Sequence, residues 1–268
     1  MNIFVESAAI LAPGLAGWAA SRAVLAGEKS YRPEAFVPPI AELLPAVERR
    51  RTSTTVKLAL AAGHEALCGA GRRADSVATI FASSGNDGEI INDICLTLAG
   101  PDRQVSPTRF HNSVHNAPSG YWGIATHSHH PSTSICGFDW SFTIGLLEAA
   151  VQLQVERAEV LLIAYDIPYP MPLAGIRRVD QPFATALLLT REASITSMAR
   201  LEISMDTRAK AISRMEDAAL EELRSGNPSA IALPLLAALA RSPGGPVTLP
   251  RDAGQTVSIL VAGLDGPD

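Results

Sequence analysis

The chain has 268 residues, 47% of them hydrophobic and 18% charged, which excludes a disordered chain poorer in apolar residues and richer in charge. A net charge of −5 speaks against a general nucleic-acid binder, whose surface would be basic. No apolar run reaches the roughly 18 residues of a membrane span.

Aromatics make up only 5%, so Ala, Leu, Ile and Val must fill the core. The start, Met1-Asn2-Ile3-Phe4-Val5-Glu6, has no basic segment, and Glu6 interrupts the apolar stretch, so no secretory signal is expected. Cys68, Cys95 and Cys136 form an odd set without paired spacing. That usage points to a reducing, cytoplasmic setting rather than a disulfide framework.

Ile3 to Leu11 reads as a strand ended by Pro13-Gly14, and Trp18 to Leu25 as a short helix. Residues 30–48 carry Pro33, Pro38, Pro39 and Pro45 and read as a loop. The hydroxyl-rich run from Thr52 to Thr55 caps an Ala/Leu helix that continues to Leu67. Ser76 to Ala82 reads as a buried strand, and Asp87 to Leu98 as a helix closed by Gly100-Pro101. Asn116 is expected to cap a helix with Pro118 in its first turn. Ser132 to Phe138 reads as a short strand and Trp140 to Val155 as an amphipathic helix. Glu159 to Ala164 and Ala184 to Leu189 are apolar on both faces, as central strands are, while Ala199 to Ser204 alternates. Arg208 to Leu223 and Ala230 to Ala240 read as helices, and Thr256 to Ala262 as a last strand. The order of elements argues an α/β layered protein with a buried mixed sheet.

The segment Pro131 to Phe142 is the most informative. A short strand turns sharply into a helix N-terminus, the architecture of a nucleophile elbow. The helix start would stabilise negative charge on the residue at the turn.

At these residues the sequence resembles the β-ketoacyl synthases of the thiolase fold. It is similar in particular to the shortened, synthase-like subunits called chain length factors of aryl polyene pigment biosynthesis. The likeness rests on Arg51 to Leu67, Ile80 to Gly85, Phe110 to Gly120, and Pro131 to Leu146, which aligns without gaps with the active-site strand and helix. Together they cover about residues 45–165. The resemblance implies a thiolase-like layered fold with helices around a mixed β-sheet and a shortened C-terminal half. Residues 1–205 would form the ketosynthase-like N-terminal half, and 206–268 the shortened C-terminal portion of the same fold.

The sequence departs from the family where its chemistry lies. The family's catalytic cysteine position holds Asp139, and Cys136 sits three residues earlier. The family's two catalytic histidines come from its C-terminal half, yet all six histidines here lie at or before His130. Decarboxylative condensation needs an acylated thiolate and donors for the developing oxyanion. The chain is therefore not expected to condense acyl units, and the expectation is no catalytic residues, no cofactor and no metal. Asp139 has an ordinary explanation as a helix cap. Cys136 is expected to be a small buried hydrophobe, and Cys68 and Cys95 packing residues. The His127, His129, His130 cluster reads as a solvated or interface turn, and His111 and His115 as loop residues. The prolines after Asp166 (Pro168, Pro170, Pro172) mark a rigid loop, which by resemblance approaches the acyl tunnel or the dimer contact.

By resemblance, the chain pairs with an active β-ketoacyl synthase as a heterodimer, accepts acyl chains on acyl carrier protein, and shapes the acyl tunnel. Ser134, Cys136, Phe138, Asp139, Trp140, Phe142, His111 and His115 are the tunnel or interface candidates. Two other readings stay open. One is an acyltransferase or thioesterase using Cys136 or Ser134. The other is a structural scaffold of a pigment complex.

Overall fold

The computed structural model describes residues 1–85, 87–156, 159–241 and 244–264. Its frame is one sheet with strand order β4-β3-β5-β6-β1-β7-β9-β8. The strands are β1 (Asn2–Ala12), β2 (Leu15–Ala16), β3 (Ala78–Ala82), β4 (Ser132–Ile135), β5 (Val160–Asp166), β6 (Phe183–Thr190), β7 (Ala199–Met205), β8 (Gly245–Asp252) and β9 (Gln255–Ala262). β4, β3 and β5 run parallel, and the other neighbours along the sheet pair antiparallel. The short β2 hangs on the end of β1. The single sheet runs through residue 205, because β7 pairs directly with β9.

The helices are α1 (Trp18–Leu25), α2 (Ala46–Arg51), α3 (Thr54–Gly69), α4 (Gly88–Ala99), α5 (Pro107–Asn112), α6 (Ala117–Thr126), α7 (Ser141–Glu156), α8 (Ala218–Gly226) and α9 (Leu233–Ala240). Two cores fill the faces of the sheet. On one, α3 and α6 bury Leu58, Ala62 and Trp122 against Phe81, Leu161 and Ile163. On the other, α7 and α9 bury Phe142, Leu146, Leu235 and Leu236 against Ile80, Leu162 and Leu187. Leu, Ile and Val alternate to both faces of β5, whose residues are all buried. Small residues let the helices close on the strands. A Cβ at Gly145 would lie 2.9 Å from Ala82 Cβ and from a Leu162 methyl, so α7 rides directly on β3 and β5.

Side chains cap three of the helices. Ser53 accepts from Val56 N at 3.3 Å, Asp87 from Ile90 N at 3.1 Å, and Asp217 from Ala219 N at 2.9 Å. Asn116 stands before α6 but makes no cap bond, contrary to expectation.

Several elements differ from the sequence reading. Arg208 to Leu223 is not one helix: α8 starts only at Ala218, where Asp217 supplies the cap. The residues before it lie along the sheet instead. Ser213 N donates to Thr248 O at 2.9 Å, and Asp206 accepts from Thr256 and Ser258. β8 escaped the reading because Pro246 and Pro250 interrupt it, a pattern tolerated on an edge strand. Residues 228–232 form a 3-10 turn before α9, and Pro243 lies outside the described residues. The short helices α2 and α5 lie in stretches read as loop. β4 stops at Ile135, three residues sooner than expected.

Candidate functional site

The parallel strands β4, β3 and β5 end on the same side of the sheet, and their exits converge there. Ligands of such sheets commonly bind at the carboxyl ends of parallel strands. β3 runs out into Ser83-Ser84-Gly85, β4 into Cys136 to Trp140, and β5 into Asp166.

Asp166 is the centre of this end. Its carboxyl is buried and accepts from Ser84 N at 3.0 Å, Ser84 Oγ at 2.8 Å, Ser83 Oγ at 3.1 Å and Ser229 Oγ at 2.6 Å. Burial pushes its pKa up, and the hydrogen bonds from Ser229, Ser84 and Ser83 offset part of that rise. Asn227 donates to the Asp166 carbonyl at 3.0 Å and to Gln181 O at 2.8 Å. The cluster thereby joins β3, β5 and the turn before α9.

The elbow follows β4. Gly137 N donates to Ser141 Oγ at 3.0 Å, and that hydroxyl donates to Phe138 O at 2.7 Å, closing the turn. Phe138 takes a positive φ of 54°, an uncommon conformation for an aromatic residue and a mark of a sharp turn. Asp139 makes no cap bond to the 3-10 turn it occupies. Its carboxylate instead accepts from Arg177 Nη1 at 2.6 Å. The Arg177 guanidinium lies 3.9 Å from the Phe138 ring centroid, a cation–π stack. The 3-10 turn carries the carboxylate to an arginine brought by the loop after β5.

That loop is seated by Tyr169. Gly85 and Gly88 are placed so that a Cβ on either would overlap the Tyr169 ring or hydroxyl. Burial and the nearby Asp166 raise the Tyr169 phenol above its ordinary range. Beside these residues, a cavity of ≈ 10 Å³ is lined by Thr55, Gly85, Asn112, His115 and Tyr165. That is about the space one water needs, far too little for an acyl chain.

The remaining sequence candidates separate. Cys136 lies beyond β4 and is exposed, not buried, its thiol donating to Ser84 O at 3.4 Å. Cys68 and Cys95 are exposed too, because each falls on an outer helix face rather than in packing. Ser134 sits half-buried on β4, 3.4 Å from Ser119 Oγ. Phe142 points into the core and is fully buried, so it lines no surface, while Trp140 is half-buried in the turn. His115 reaches Ser83 O at 3.4 Å, and His111 lies in the last turn of α5 rather than in a loop, its exposed ring edge-on to Tyr121. His127, His129 and His130 are exposed. Among the described residues, no group of three or more His, Cys, Asp or Glu is placed to hold a metal ion, and no helix is long and apolar enough to cross a membrane. Sequence reasoning missed Arg177. Its only signal was an Arg-Arg doublet eight residues after Tyr169.

Residues 18–241 match the family described as β-ketoacyl synthase, N-terminal domain. The chain belongs to the β-ketoacyl synthase family. No curated protein sequence matches the chain. Solved synthase structures share its thiolase-like fold. The structure of the ketosynthase ApeO in complex with its chain length factor ApeC from Xenorhabdus doucetiae is 23% identical with a TM-score of 0.73, over 96% of this chain and 99% of that one. The ishigamide ketosynthase/chain length factor is 14% identical with a TM-score of 0.71, over 98% and 99%. AntDE:AntF, a type II PKS acyl-carrier protein in complex with its ketosynthase, is 12% identical with a TM-score of 0.74, again over 98% and 99%. Within this β-ketoacyl synthase frame, Asp139 lies in the turn after β4 and is paired with Arg177.

Proposed function

We propose that this β-ketoacyl synthase-like chain is a non-condensing chain length factor. It pairs with an active synthase and shapes the tunnel that receives polyene acyl chains from acyl carrier protein. The observation that carries this reading is the Asp139–Arg177 pair at the elbow. A carboxylate held by a guanidinium is a poor acyl acceptor, and no histidine follows His130 to serve as base or oxyanion donor.

Two features support the pairing. The first is the contrast between the sheet edges. β8 is blunted by Pro246 and Pro250 and bridged by Ser213, whereas β4 is an edge strand without proline and, among the described residues, without a segment hydrogen-bonded along its outer side. An open edge is a template for another strand. The second is the apolar surface on α4, α5 and α7. α4 buries only Gly88 and Ile90, leaving Leu96 and Leu98 exposed, and Phe110, Val151 and Val155 are exposed as well. Such exposure marks an interaction surface. The void beside His115 and Tyr165 is water-sized, which is consistent with an acyl tunnel that runs between two chains.

Co-expression with a candidate synthase tests the proposal. The expected result is a stable heterodimer that makes products of defined length, with the synthase alone inactive or unselective. A chain that stays monomeric beside every synthase tried would overturn it.

The exposure of Cys136 favours a second reading, an acyltransferase or thioesterase. Among the described residues no imidazole bonds its sulfur, whose partner is the Ser84 carbonyl. Full product formation by Cys136→Ala in the reconstituted pair would remove this reading.

A further inference from the structure

We infer that Asp139 is a positioning residue. Through Arg177 it fixes the loop over residues 167–177 and holds Met171 and Ile176 outward against the synthase partner. This rests on the pairing proposed above.

The loop leaves β5 at Asp166 and crosses the ends of the parallel strands. It is pinned twice. At its start, Tyr169 fills the space left by the missing side chains of Gly85 and Gly88. At its end, Arg177 bonds Asp139 at 2.6 Å and stacks on Phe138 at 3.9 Å. Between the pins, Pro168, Pro170 and Pro172 restrict the backbone, and residues 173–175 form a 3-10 turn. Met171 is 71% exposed and Ile176 89% exposed.

A loop held this firmly gains nothing for its own fold by displaying two large apolar side chains. Burying such side chains is favourable, and a partner seated here would supply that burial. The surface is continuous with the open edge, because Phe138, under the Arg177 guanidinium, lies three residues beyond β4. A strand added along β4 therefore brings the partner against Phe138 and Ile176 together. At the elbow, the carboxylate does by ion pairing what no neutral residue could: it recruits an arginine whose side chain is largely buried, and with it the loop.

The test compares Asp139→Asn, Arg177→Ala, the exchange Asp139→Arg with Arg177→Asp, and Ile176→Asp. Each is measured for affinity to the synthase and for product-length distribution in the assembled pair, with thermal melting as the control for folding. The two single variants of the ion pair should each weaken synthase binding about tenfold or broaden the product lengths, and the exchange should recover most of either loss. Ile176→Asp, fully on the surface, should weaken binding without lowering the melting temperature. Unchanged affinity and product length in both single variants would overturn the inference while leaving the pairing intact. So would loss of turnover in Asp139→Asn at unchanged affinity, which would make Asp139 chemical. Failure of the native chain to bind any synthase would overturn the pairing itself.

Discussion

The hydroxyl of Ser229 donates to the Asp166 carboxylate at 2.6 Å, tying the end of β5 to the turn before α9. These residues are 63 positions apart in sequence, and the bond is buried. It joins the sheet to the C-terminal helices at the end where the elbow lies.

Asp166 should therefore be a stability residue with a definite pH signature. Replacement by Ala leaves Ser84 N and the hydroxyls of Ser83 and Ser229 without their acceptor and should cost about 1–3 kcal/mol. Because burial raises its pKa in the folded state above the ordinary 3.8, folding disfavours the ionised form. The resulting penalty is absent below the unfolded pKa, grows as pH rises toward the folded value, and is constant beyond it. Asp166→Asn does not titrate. Its stability relative to the native chain should improve with rising pH across that window, as read by urea unfolding at several pH values. A difference that is flat with pH would show that Asp166 does not titrate with folding.

Tyr169 and Gly88 should be coupled. Gly88→Ala would ordinarily help the first turn of α4, since Ala is the better helix former by about 1 kcal/mol. Here the added Cβ meets the Tyr169 ring, so the substitution should destabilise by roughly 1–3 kcal/mol. In a Tyr169→Ala background the sign should reverse. The double-mutant cycle measures this directly, and additive effects would refute the contact.

The free edge of β4 can be tested without touching its ladder. Thr79 N donates to Pro131 O and Ser83 N to Ile135 O, so the backbone of Pro131, Thr133 and Ile135 faces β3. The Ser134 N–H points to the open side by alternation. Ser134→Pro removes no ladder hydrogen bond, so the chain should still fold, as thermal melting would show, yet synthase binding should fall at least tenfold. Binding at native affinity would exclude strand addition along this edge.

The exposed cysteines report the same interface. Cys68, Cys95 and Cys136 should all react with a maleimide in the isolated chain. On pairing, Cys136, next to the β4 edge, should become protected. Cys68 is exposed on α3, which packs on β1, β5 and β6 rather than on β4, and should keep reacting. Mass spectrometry of the labelled peptides distinguishes them. An equally reactive Cys136 in free and assembled protein would place the partner elsewhere.

Much of the frame is legible in the residues because it follows from local rules. β5 and β6 announce themselves as apolar runs of strand length, and α3 through a hydroxyl cap before an Ala/Leu stretch. The reading failed where a tertiary partner outweighed local preference. Arg208 to Leu223 reads as one helix, but its first half is drawn to the sheet, where Asp206 and Ser213 hydrogen-bond β9 and β8. β8 carries prolines that only an edge position permits. Cys136 reads as a small buried hydrophobe on an apolar strand, but the strand ends at Ile135 and leaves it exposed.

The sequence by itself determined that a short strand turns into a helix at Pro131 to Phe142, that this turn carries an aspartate, Asp139, and that no histidine follows His130. Those are facts of residue type and spacing, and they need no third dimension. What Asp139 does there was decided only by the tertiary structure. Arg177 is 38 residues away, and nothing local links the two. They meet because β4 and β5 flank β3 in parallel, so that both exits open at the same end of the sheet.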